Sequence, residues 1–138
     1  TWTNTGIRLI DQVRTALAAS KYPLFVSEGN SEEKLERIKH SGYLHRGLAS
    51  MPKVTGSIFA YGLSFADNDD HVLRMIEVGK VTNLYVSIYG APDQAHNAHI
   101  IRRAMRLAEA RDARNQRRRR PIPLTVQFFD AQSARVWS

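Results

Sequence analysis

The chain has 138 residues, 43% of them hydrophobic, with no cysteine and a formal net charge of +7. That length suits one α/β-sized domain with its own core rather than two domains, and the missing cysteines exclude a disulfide framework, a thiolate zinc site and a thiol nucleophile. No apolar run approaches the roughly 20 residues that cross a bilayer, and the opening TWTNTGIRLIDQ lacks the basic start and apolar stretch of a secretion signal; no membrane partner and a cytoplasmic location are therefore expected.

Ile7, Ile10, Val13, Ala16 and Leu17 recur at helical spacing and predict an amphipathic helix over residues 6 to 19. PLFVS predicts a strand over 23 to 27, closed by Gly29. Asn30 or Ser31 is placed to cap a following helix that carries Glu32 and Glu33 in its first turn, where the macrodipole favours negative charge. Tyr43, Leu44, Leu48 and Met51 suggest a further helix that stops near Pro52. SIFAYG predicts a strand at 57 to 62, and Val72, Leu73 and Ile76 a helix from about Asp69 to Val78. NLYVSIY, 83 to 89, is the next strand, and Gly90, Pro92 and Asp93 lead into a helix with Ile100, Ile101, Ala104, Leu107 and Ala108 on its inner stripe. LTVQFF, 124 to 129, is the last strand, followed by a short helix or turn capped by Asp130.

There is no internal repeat. Apolar strands separated by helical stretches predict a mostly parallel sheet: a Rossmann-like three-layer α/β unit of about four strands with helices on both faces.

The positive charge is not spread evenly. Between Arg102 and Arg120, nine arginines stand against Glu109 and Asp112, and the rest of the chain carries 11 basic and 11 acidic groups that cancel. As the end of a helix followed by a solvated loop before Pro121, this segment needs no partner, and that is the favoured reading. The alternative is a noncatalytic binding module that uses Arg102 to Arg120 on nucleic acid or an acidic partner.

In open parallel sheets ligands bind outside the carboxyl ends of the strands. The segment after the second predicted strand is unusual there, because Gly62 and Ser64 are followed by Asp67, Asn68, Asp69 and Asp70. Ser27 and Glu28 follow the first strand, and Ser87 lies near the end of the third. Gly62 is expected to permit close backbone approach to a ligand and Ser64 to offer a hydroxyl, while the Asp67 to Asp69 cluster either contacts ligand hydroxyls or caps the helix. No metal is expected: a calcium loop starting at Asp67 would place Val72 and Val78 where glycine and glutamate are required, and His96 with His99 lacks a third ligand. Neither standard glycine-rich phosphate loop is present, and Ser64, His71 and Asp67 do not make the strand-to-helix nucleophile turn of a hydrolase.

KYPLFVSEGNSEEKLERIKHSGYL, SIFAYGLSFADNDDHVLRMI, LYVSIYG and VQFFDAQSARVW together resemble the C-terminal half of an uncharacterised bacterial domain-of-unknown-function family, which in turn resembles sirtuin-like domains. The most specific part is Tyr61-Gly62-Leu63-Ser64 with Asp67 to Asp69, similar to the Gly-x-Ser-Leu-type turn and following Asp of sirtuin-like NAD-binding and NAD-cleaving proteins; Phe65 stands where Leu is common. The resemblance implies NAD or a related nucleotide as cofactor, with Gly62 and Ser64 near a ribose or phosphate. It also implies that the Gly-Ala-Gly start and the catalytic Asn and His belong to an N-terminal half not matched here, so that any NAD hydrolysis requires the complete parent domain. A first residue that is Thr rather than Met fits that expectation.

Overall fold

The computed structural model describes residues 8 to 20 and 29 to 136. The expected strand at 23 to 27, with Ser27 and Glu28, lies outside them. The elements run α1 (Leu9–Ala18), α2 (Ser31–Lys39), α3 (Gly42–Ser50), β1 (Thr55–Ala60), α4 (Asp70–Val78), β2 (Lys80–Ile88), α5 (Ala95–Asn115) and β3 (Thr125–Asp130). One 3-10 turn, Asp67–Asp69, precedes α4 and another, Ala131–Ala134, follows β3.

Helix α2 starts with a capping box. Asn30 Oδ1 accepts from Glu33 N at 2.9 Å, and Glu33 Oε2 accepts from Asn30 N at 3.2 Å, so two amide groups that a helix start leaves unpaired are satisfied reciprocally. At the other end of the fold Asp130 behaves as the sequence suggested, accepting from Gln132 N at 3.0 Å.

The three strands form one parallel sheet in the order β1-β2-β3. Each step moves the same way across the sheet, and right-handed crossovers then place both connecting helices on one face. The core agrees. Ile58, Leu84 and Val126 stand side by side in register, as do Ala60 and Val86, and this row packs with Leu73 and Ile76 of α4 and Ala104 and Leu107 of α5. Because side chains alternate along a strand, Phe59 and Tyr85 point to the opposite face, where their rings stack with centroids 4.6 Å apart and Phe129 meets Phe59 edge-on at 6.4 Å. Phe59 is 68% exposed there. Helices on both faces were expected; among the described residues the second face carries aromatic side chains instead.

Candidate functional site

Parallel pairing brings the carboxyl ends of β1, β2 and β3 to one rim. Between β1 and α4 the backbone enters the left-handed region twice, at Gly62 (φ +67°) and at Phe65 (φ +54°). Glycine takes such angles freely, and a Cβ on Gly62 would meet nothing within 4 Å. Gly62 therefore serves the turn and packs against no neighbouring backbone or side chain. Phe65 has no such freedom, and a non-glycine residue held there costs of order 1–3 kcal/mol. Two features hold it. Its ring is fully buried in the core, and its carbonyl accepts from Arg103 Nε at 3.1 Å and lies 3.2 Å from His99 Nε2. A carbonyl only accepts, so Nε2 of His99 carries the proton.

The turn walls a crevice of about 680 Å³ lined by Gly62, Leu63, Ser64, Ser87, Tyr89 and Asn97 among others. Three of the expected site residues thus converge. Gly62 N donates to Ser87 Oγ at 3.1 Å, tying the ends of β1 and β2 together. Ser64 Oγ accepts from Ala66 N at 3.3 Å and donates to Asp69 Oδ2 at 2.8 Å. The far wall, the loop from β2 to α5, is held by Asn97, which is 1% exposed and donates from Nδ2 to Tyr89 O at 2.9 Å and Ala91 O at 2.8 Å.

Asp67, Asn68 and Asp69 do not line the crevice. Nor do they cap: the starts of the 3-10 turn and of α4 have no side-chain cap hydrogen bond. Cations hold the carboxylates instead. Asp69 Oδ1 accepts from Lys34 Nζ at 3.2 Å, a pair whose side chains are 8% and 14% exposed. Arg103 is hydrogen-bonded to Asp70 and lies 3.7 Å from Asp67 Oδ1. Asn68 Oδ1 is buried and pairs with no described group. Asp69 nevertheless reaches the crevice indirectly, because the carboxylate that holds Lys34 also orients the Ser64 hydroxyl.

His71 opens on a second, smaller cleft of about 440 Å³ between α2, α4 and α5. Its backbone N–H donates to Ser31 Oγ at 2.9 Å, and the same hydroxyl lies 3.2 Å from its Nδ1. Burial lowers the His71 pKa from its ordinary value, the Lys34 ammonium lowers it further, and the Asp69 carboxylate opposes both. The Ser64, His71 and Asp67 reading does not assemble, since the hydroxyl bonded to His71 is that of Ser31. Among the described residues no group of three or more His, Asp or Glu side chains is arranged to hold a metal ion, and no helix is long and apolar enough to cross a membrane.

Sequence reasoning missed three residues that shape this rim: Asn97, His99 and Arg103. The signal was present for Asn97, a short amide side chain that disfavours a helix interior, placed four residues after Asp93 where the apolar stripe begins. Arg103 was counted in the basic segment, yet its partners are the acidic ones.

The arrangement defines a parallel α/β protein of successive βαβ units with a crevice at the carboxyl rim of its sheet. The chain belongs to the family described as Domain of unknown function (DUF4917), which matches residues 1–137. No curated protein and no solved structure matches the chain.

Proposed function

We propose that the rim crevice binds the nucleoside part of NAD or a related nucleotide, in a Rossmann-like, sirtuin-like domain of which this chain forms the C-terminal portion. The observation that carries the reading is the convergence of Gly62, Ser64 and Ser87 on one crevice at the carboxyl ends of β1 and β2, the place where open parallel sheets take ligands. Its wall combines the rings of Tyr61 and Tyr89 and the apolar Leu63 and Ile100 with a few hydroxyl and amide groups, a lining suited to a flat base and ribose. No lysine or arginine lines it, so the pyrophosphate is assigned to its mouth.

One feature supports a larger parent domain. Parallel sheets are ordinarily covered on both faces, and the Phe59, Tyr85 and Phe129 face leaves a large aromatic surface for further structure to cover. Helix α2 starts beside α4, with Ser31 bonded to His71. The fourth strand of this reading is the one expected at 23 to 27. In this reading catalytic groups come from the upstream half, and NAD hydrolysis belongs to the complete protein.

Calorimetric titration with adenosine, ADP-ribose, NAD and inorganic pyrophosphate tests the proposal. Adenosine and ADP-ribose are expected to bind competitively and pyrophosphate alone not to bind. Ser64→Ala is expected to weaken binding about five-fold, as for one lost hydrogen bond of about 1 kcal/mol. Binding of pyrophosphate alone, or nucleoside binding unchanged by Ser64→Ala and Ser87→Ala, would overturn it.

A further inference from the structure

The opposite rim of the sheet has a different chemistry, and it is built rather than merely charged. Asn115, the last residue of α5, clamps the chain that follows: its Nδ2 donates to Ile122 O at 3.0 Å, and its Oδ1 accepts from Ile122 N at 3.1 Å. The loop between them is Gln116 to Pro121, which carries Arg117, Arg118, Arg119 and Arg120. Arg118 donates to Val78 O at 3.3 Å, which fastens this loop against the turn from α4 into β2, two residues from the exposed Lys80. Arg114, Arg117 and Arg118 line a cavity of about 500 Å³ with only Ala113 for company.

A solvated tail would let four successive arginines spread apart. Here the clamp and the Val78 contact hold them together against their own repulsion. Glu77 does not relieve it, because that carboxylate is already shared between Arg74 at 3.5 Å and Arg114 at 3.4 Å. The side chains of Arg117, Arg119 and Arg120 are exposed and pair with no described group. Held this way, the loop favours a ligand whose anionic charges are themselves closely spaced.

We propose that this amino-terminal rim binds the phosphate backbone of a nucleic-acid duplex. A duplex presents one negative charge per roughly 1.7 Å of axis, and guanidinium forks match phosphate oxygens bidentately. The cavity lining offers no aromatic ring on which an unpaired base would stack and no large apolar side chain to enter a lipid surface. Contacts of this kind position a duplex without reading its sequence.

Fluorescence anisotropy of the whole chain with two labelled 20-base-pair DNA duplexes of unrelated sequence, and one RNA duplex, tests the proposal across a salt series. With about four phosphate contacts, affinity is expected to fall on the order of 100-fold between about 50 and 200 mM salt, equally for both DNA sequences. Arg117→Gln/Arg119→Gln/Arg120→Gln should remove most of that salt dependence with an unchanged far-UV spectrum and melting midpoint. Lys80→Gln, on a different element, should lower the log-log slope by about one. Comparable binding of DNA and RNA supports a backbone site, and preference for one duplex form narrows it to that groove geometry. No duplex binding at about 50 mM salt, a slope untouched by the triple substitution, or binding to polyglutamate or phosphatidylserine vesicles in place of duplex would overturn it.

Discussion

The two rims of the sheet handle charge in opposite ways. At the carboxyl rim, Asp67, Asp69 and Asp70 each have a cation at hand, from Lys34 of α2 or Arg103 of α5, so the acidic cluster of the sequence becomes a closed network behind Ser64. At the amino rim Arg111 is fully buried and forms no ion pair among the described residues. Its guanidinium donates to the carbonyls of Glu77, Val81, Ile122 and Ile76, which are backbone groups left over where α4 ends, β2 starts and the chain approaches β3. Burial, followed by the neighbouring Arg118 cation, lowers its pKa from the ordinary arginine value, but a guanidinium starts so high that it stays charged. The lesson is that net charge in a segment says little about use. Of the nine arginines, Arg103 belongs to the acidic rim and Arg111 to the core, while Arg117, Arg119 and Arg120 face solvent.

That contrast can be broken most severely at Arg111. Arg111→Met removes the donors; Ile122 O keeps Asn115 Nδ2 and Ile76 O keeps Gly79 N, so the Glu77 and Val81 carbonyls lose most, and at 1–3 kcal/mol for each buried group left unsatisfied a loss of about 3 kcal/mol is expected. Urea denaturation measures it, and Arg111→Lys should recover little because an ammonium cannot span the same four acceptors. A loss below about 1 kcal/mol would show that water replaces the guanidinium and that the amino rim is not held by it.

Lys34 tests the other rim at a smaller scale. Lys34→Met leaves Asp69 without its cation at a site that is largely closed, and a loss of about 2 kcal/mol is expected, between the values for exposed and fully buried pairs. The double variant Lys34→Met/Asp69→Asn should regain part of it, since the buried charge is then gone. If the loss in the double variant equals the sum of the losses in Lys34→Met and Asp69→Asn, the pair is not coupled.

Asn97→Ala is expected to cost about 1–2 kcal/mol through the lost bonds to the Tyr89 and Ala91 carbonyls, of which Ala91 O keeps Gln94 N. It should also raise hydrogen exchange in the 89 to 94 loop, which distinguishes a wall of the crevice from a general core position.

The smallest effect expected is the pH response of His71. With the folded pKa lowered, the unfolded chain binds more protons between the folded value and the ordinary value of about 6.5. Stability therefore rises with pH through that window, is fully present above it, and is lost as pH falls to the folded pKa. Melting midpoints between about pH 5 and 7.5 should drop toward acid in the parent chain and less so in His71→Asn, which keeps a hydrogen-bond acceptor for Ser31. Parallel curves would assign the acid sensitivity to other groups.

Local patterns foretold α1 to α5 and β1 to β3, because each rests on short-range physics, though not the 3-10 turn at Asp67–Asp69. The period of Val72, Leu73 and Ile76 marks α4, Asn30 with Glu33 marks the start of α2, and the apolar run of β2 marks a strand buried within a parallel sheet. Boundaries moved by a few residues, as at β2, which begins at Lys80 rather than Asn83; its opening Lys80-Val81-Thr82 is not a continuous apolar run, yet Lys80 and Val81 pair with β1. The meeting of Gly62, Ser64 and Ser87 was also legible, since it follows from parallel direction alone. By itself, then, the sequence determined the α/β class, the order of elements and the rim at which Gly62, Ser64 and Ser87 meet. Only tertiary structure decided what the charged residues do. Spacing along the chain could not pair Asp69 with Lys34, bring Arg103 from the basic segment to Asp70, bury Arg111 among carbonyls or hold Phe65 at positive φ. Those outcomes depend on which helices the sheet brings side by side, and on the cost of leaving any one of these groups without a partner once they are there.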